Sequence, residues 1–159
     1  LDDFKTHLSL MFTEVRPRGF LEIRSIDCQP KMFQAIPARF YCGLLYDADT
    51  LDELLDLLTP ISGEIEGLLQ ASENGLDDPR ISKYSKEVME LAIKGFANLP
   101  TCFKEEGGER EFAQFYTHFT GRGRTPADDF LDVMKERNEE TITLSGLKTL
   151  NERWSGIFI

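Results

Sequence analysis

Apolar and polar positions change period once near the start of the chain. Over 19–27 they alternate. Phe20, Glu22, Arg24 and Ile26 share one face, and Leu21, Ile23 and Ser25 share the other. That alternation predicts a strand. Before it, Phe4, Leu8, Met11 and Phe12 recur at helical spacing over 1–12, with Asp2 and Asp3 near the helix start, where the dipole favours carboxylates. Arg16-Pro17-Arg18-Gly19 reads as a basic turn into the strand, since Pro17 fixes its backbone and Gly19 permits a sharp bend. After the strand, Met32, Phe33, Ile36, Phe40, Leu44 and Leu45 predict a helix over 31–46, kinked or restarted at Pro37.

From Thr50 onward the period is helical throughout. Leu51, Leu54, Leu55 and Leu58 form one stripe, with Thr50 as N-cap and Glu53 completing a capping box. Ile65, Leu68 and Leu69 mark a helix over 62–73. Val88, Leu91, Ala92 and Phe96 mark one over 82–97. Phe112, Phe115, Tyr116 and Phe119 make an aromatic stripe that reads as helix packing rather than as a nucleobase platform. Thr125-Pro126 reads as an N-cap followed by proline at the first helical position, with Asp128 and Asp129 in the first turn. A last helix is expected over 144–154. The fold class is therefore α+β: mostly helical, with one or two strands of a larger antiparallel sheet.

Composition narrows the function. The formal net charge is −10, which excludes nucleic acid and anionic membrane as expected partners, since both need clustered Lys and Arg. Cys28, Cys42 and Cys102 are too few and too widely spaced for a disulfide framework or a thiolate metal site, so a cytoplasmic setting is expected. Cys28 beside Asp27 has no visible base and reads as a structural thiol. The loop 121–125 has glycines and arginines but lacks either phosphate-loop spacing.

The chemistry concentrates on the strand. Glu22 and Arg24 sit two positions apart, about 6 to 7 Å between Cα atoms. That suits two side chains reaching into one site, each for its own part of a substrate. It equally suits an ion pair on a solvated sheet face, which contributes little stability. Arg16 and Arg18 add guanidinium forks able to grip carboxylate or phosphate, or else a solvated turn.

The run from His7 to Arg16, followed by Phe20-Leu21-Glu22-Ile23-Arg24-Ser25-Ile26-Asp27, resembles the glutamate–cysteine ligase family of the plant and actinobacterial type. Ile36-Pro37-Ala38 through Gly43-Leu44-Leu45-Tyr46-Asp47 resembles the same family. So does Gly123-Arg124-Thr125-Pro126-Ala127-Asp128 with Leu131. The resemblance implies a carboxylate–amine ligase related to glutamine synthetase, with ATP and Mg²⁺ as cofactors. Glutamate would be activated as an acyl phosphate and attacked by cysteine or another amine. By that resemblance Glu22 is a metal ligand, Arg24 a catalytic and substrate-binding residue, and Arg16 a substrate-binding residue. Arg18 falls one residue from the family's basic position.

The family's enzymes are longer, so the chain reads as a C-terminal portion that is inactive alone. Residues 1–47 would belong to the catalytic domain and residues 48–159 to a helical region packed on it. The missing N-terminal part of the enzyme would be its partner, and a homodimer through the strand edge is also expected. A helical interaction module without catalysis, in which Glu22 and Arg24 merely pair, is the alternative.

Overall fold

The computed structural model describes residues 2–3, 6–7, 14–17, 19–141 and 143–158. It divides into two compact units, residues 1–37 and 38–159. In the first unit Asp2, Asp3, Thr6 and His7 are helical. The predicted stripe of Phe4, Leu8, Met11 and Phe12, and the turn residue Arg18, lie outside the described residues.

The strand prediction is met by a hairpin. β1 (Val15–Pro17) pairs antiparallel with β2 (Leu21–Ile23) in the register Val15↔Ile23, Arg16↔Glu22 and Pro17↔Leu21. Gly19 turns the chain between them at φ +80°, a left-handed conformation that glycine adopts without a Cβ penalty. The regular strand is shorter than the alternation suggested. It does carry one further ladder bond, from the Arg24 N–H to the Glu14 carbonyl at 2.8 Å.

The 31–46 stretch splits as its proline requires. A single 3-10 turn (Lys31–Phe33) precedes α1 (Ile36–Leu45), which admits Pro37 in its first turn, where a missing N–H costs nothing. α2 (Ala48–Leu58) starts two residues before the predicted cap. Asp47 is the N-cap. Its carboxylate accepts from the Thr50 N–H at 3.2 Å and from the Thr50 hydroxyl at 2.6 Å. Thr50 is consequently buried inside the first turn rather than preceding it.

α3 (Ile65–Ser72) follows a 3-10 segment (Thr59–Glu64) that absorbs Pro60. α4 (Pro79–Asn98) is the long central helix, capped by Asp78, which accepts from the Arg80 N–H at 2.9 Å. It packs against α2, α3 and α5 (Gly108–His118). α6 (Pro126–Glu136) and α7 (Leu144–Ser155) pack on each other. None of the described helices is long and apolar enough to cross a membrane.

Phe96, Phe112, Phe119, Val133, Leu150 and Trp154 are buried in this helical unit. Phe112, Phe115 and Phe119 of the predicted aromatic stripe are thus core, while Tyr116 is half-buried. Phe112 meets Phe96 edge-on at 6.0 Å between ring centroids, and Phe119 meets Trp154 edge-on at 6.2 Å.

α1 and α4 approach backbone to backbone. A Cβ on Gly43 would lie 2.0 Å from the Ala92 carbonyl oxygen, and one on Gly95 would lie 2.0 Å from the Gly43 carbonyl oxygen. Only glycine at both positions allows this crossing. Gly43→Ala is expected to destabilise the helical unit by about 1 to 3 kcal/mol, the range for overpacking a close-packed interior. Gly67→Ala is the matched control. Gly67 lies in α3 with nothing within 4 Å of its would-be Cβ, so the same substitution should stabilise by up to about 1 kcal/mol through helix propensity. Urea denaturation of the two variants reads the opposite signs; equal midpoints would refute the close-approach argument.

Candidate functional site

Alternation along the hairpin separates its two faces. Val15, Leu21 and Ile23 fall on one side and Arg16 and Glu22 on the other. Glu14 and Arg24 extend that second side by one ladder position. One face therefore carries two carboxylates and two guanidiniums in a checkerboard, with Glu14 across from Arg24 and Arg16 across from Glu22.

Arg16 and Glu22 are 3.8 Å apart, outside hydrogen-bond distance. Their side chains are 19% and 38% exposed, so this is a loose pair reached by solvent and not a closed buried bridge. Arg24 is half-buried. The hairpin thus gathers Glu22, Arg24 and Arg16, the three residues singled out from the sequence, on one face. Glu14 joins them and was not singled out. The signal was available, because Glu14 stands two positions before Arg16 and so on the same face of any strand through both. Among the described residues no three His, Cys, Asp or Glu side chains group closely enough to hold a metal ion.

The helical unit holds two polar centres that sequence patterns did not reveal. Arg39, 4% exposed, lies on α1. Its Nε donates to Glu105 Oε1 at 2.8 Å, and its terminal nitrogen bonds both Glu105 and Glu111, the latter at 2.8 Å. Two carboxylates on one guanidinium offset the cost of taking that charge out of water.

The second centre is Asp129 on α6, 6% exposed. Its Oδ2 bonds His118 Nε2 at 2.9 Å and accepts from Trp154 Nε1 at 2.9 Å. Its Oδ1 accepts from Arg124 at 3.0 Å. Burial pushes the Asp129 carboxyl up, but the hydrogen bonds from His118, Trp154 and Arg124 outweigh it and hold the group below the ordinary carboxylate range. Asp129 therefore ties α5, α6 and α7 together through one ion.

The helix start at Thr125-Pro126 is as its residues predict. The Thr125 N–H donates to Asp128 Oδ2 at 2.6 Å, and the Thr125 hydroxyl lies 2.9 Å from the same oxygen. Thr125 and Pro126 also edge an apolar cavity of about 430 Å³ lined by Phe40, Tyr84, Met89 and Phe119.

Residues 2–146 match the sequence model of glutamate–cysteine ligase family 2. The chain belongs to that family. The chloroplastic glutamate–cysteine ligase of Medicago truncatula is 31% identical over 149 residues, which covers 89% of this chain and 28% of that protein. The chloroplastic enzyme of Brassica juncea is 32% identical over 143 residues, 83% of this chain and 26% of the relative. That of Arabidopsis thaliana is 32% identical over 143 residues, 83% of this chain and 25% of the relative. The chain thus spans little more than a quarter of the length of these family members. No solved structure matches it.

Proposed function

We propose that the chain supplies one wall of the active site of an ATP-dependent ligase that joins glutamate to cysteine or a related amine. The charged hairpin face carries this reading. Two guanidiniums and two carboxylates, half-exposed and side by side, suit a substrate that carries carboxylates and gains negative charge as it is activated. Family membership and the greater length of the relatives support the view that other segments complete the site.

The donor set fits a divalent cation as a contributor. Mg²⁺ takes oxygen ligands and is held by one or two carboxylates, with phosphates and water filling the remaining positions. Glu22 would be such a ligand, and Glu14 lies on the same face. ATP with its metal would supply the phosphoryl group that activates the γ-carboxylate of glutamate.

The chain's own residues would bind and orient. Arg24 would grip the glutamate carboxylate or the phosphoryl oxygens through its planar fork, stabilising charge where it develops. Arg16 would hold Glu22 in place across the ladder and add a second cation to the substrate carboxylates. Strands from other segments of the enzyme would extend this antiparallel pair into a larger sheet of the glutamine-synthetase type.

Glu22→Gln in a full-length ligase carrying this segment tests the reading. The substitution keeps the size and removes the charge. Activity should fall at low Mg²⁺ and recover in part as Mg²⁺ is raised. Normal activity at limiting Mg²⁺ in the folded variant would make the Arg16–Glu22 pair structural and the proposal wrong.

A further inference from the structure

A second site lies in the helical unit, in chemistry that the ligase reading does not use. α5 presents Arg110, Gln114, Thr117 and His118 at the spacing of one helix face. Arg122 follows in the next 3-10 turn (Thr120–Arg122). Together with Ile157 they line an open cavity of about 430 Å³, within the size range of small-ligand sites.

The charge of this cavity runs against the rest of the chain. The chain carries −10 overall, yet the lining holds two arginines and a histidine and no carboxylate. Arg110 and Arg122 make no ion pair or hydrogen bond among the described residues, whereas Arg39, Arg80, Arg124, Arg137 and Arg153 are all ion-paired. The sequence offers Arg110 two neighbouring acids, but both are engaged elsewhere. Glu109 is taken by Lys104 at 2.7 Å and Glu111 by Arg39 at 2.8 Å. Arg124, two residues past Arg122, is tied to Asp129 and Asp132 at 3.0 and 2.5 Å. Two guanidinium forks are thus left open at one cavity.

His118 is held at its wall. Its Nε2 bonds Asp129, an ionised carboxylate that only accepts, so Nε2 carries the hydrogen. Nδ1 makes no hydrogen bond among the described residues. In the neutral ring it accepts a hydrogen, and in the charged ring it donates one. Phosphate offers both P–OH and P–O⁻ near neutral pH, while an ionised carboxylate offers acceptors only. Two fixed positive charges also match a phosphate dianion better than a single carboxylate, and the arginine fork suits phosphate oxygens in pairs.

We propose that this cavity is an anion site for a small phosphate-bearing molecule, held by the Arg110 and Arg122 guanidiniums and the His118 imidazole. The site shares no residue with the charged hairpin and does not depend on the ligase reading. Calorimetric titration of the 159-residue chain tests it, at fixed ionic strength in chloride, with inorganic phosphate, glycerol 3-phosphate and acetate as probes.

Phosphate or its monoester should bind with one-to-one stoichiometry, and the tighter of the two tells free phosphate from an organic phosphate. Arg110→Ala and Arg122→Ala should each weaken binding by roughly tenfold, the loss of one charge-assisted contact. Both side chains are exposed and unpaired, so the variants should keep their circular dichroism and thermal midpoint. The His118 ring resonances should shift on phosphate addition and not on acetate addition. Absence of saturable binding up to about 10 mM of either phosphate probe, where even a weak specific site would register, would overturn the proposal. So would unchanged affinity in the Arg110→Ala/Arg122→Ala double variant, or acetate binding as tightly as phosphate.

Discussion

Asp129→Ala should destabilise the helical unit by about 3 to 5 kcal/mol, the cost of breaking a buried ion pair by removing one partner. Asp129 receives the Trp154 indole N–H, the His118 ring and the Arg124 guanidinium. Its loss leaves a buried indole N–H and the His118 ring N–H with no acceptor, and a void between three helices. Arg124 keeps Asp132 and suffers least. Trp154 is the single tryptophan of the chain, so its fluorescence reports on this site as the protein unfolds in guanidinium.

Asp129→Asn keeps the volume and removes the charge, and it isolates the pH dependence. The folded carboxyl titrates below its unfolded value, so its stabilisation is fully present above the ordinary carboxylate range and is lost as pH falls through the folded value. The stability gap between wild type and Asp129→Asn should therefore be present above the ordinary carboxylate range and close as pH drops below about 4. Asp47, Asp78, Glu105 and Glu139 are also held below their ordinary values, but those contributions are common to both proteins and cancel in the difference. A gap that is constant with pH, or an alanine variant within about 1 kcal/mol of wild type, would show that Asp129 is not the tie described.

Arg24→Lys in a full-length ligase carrying this segment should lower the rate by roughly two to three orders of magnitude. That corresponds to about 3 to 4 kcal/mol for one charge-assisted contact made in the transition state. Lysine keeps the charge and loses the planar fork, so a bidentate contact cannot be rebuilt. The ladder bond at this position comes from the Arg24 backbone N–H and survives the substitution, so the hairpin should persist. Raised Mg²⁺ should not restore activity. That separates Arg24, which would touch substrate or phosphoryl oxygens, from Glu22, which would touch the cation. Near-normal turnover in folded Arg24→Lys would show that the fork makes no transition-state contact.

Much of this protein follows from local pattern. The alternation through Leu21-Glu22-Ile23 placed a strand with Glu22 and Arg24 on one face, because strand side chains alternate whatever lies around them. Thr125-Pro126 and Asp128 announced a helix start, because capping is satisfied within four residues of chain. The phenylalanines of α5 announced a buried stripe by period alone. Family membership was likewise readable in those same short runs.

Other features needed the tertiary structure, because they depend on residues far apart in sequence. Asp129 looked like one more first-turn carboxylate beside Asp128. It is buried because Trp154, 25 positions later, donates to it and His118, 11 positions earlier, bonds its other side. Arg39 carried no pattern at all until Glu105 and Glu111 were brought to it. Gly43 and Gly95 read as ordinary helix positions until two helices crossed at them. The partner of Glu22 was set by register: Arg16 faces it because Gly19 turns the chain where it does. Periodicity encodes which face of an element is apolar, whereas pairing, burial of charge and close backbone approach are decided only when separate elements meet.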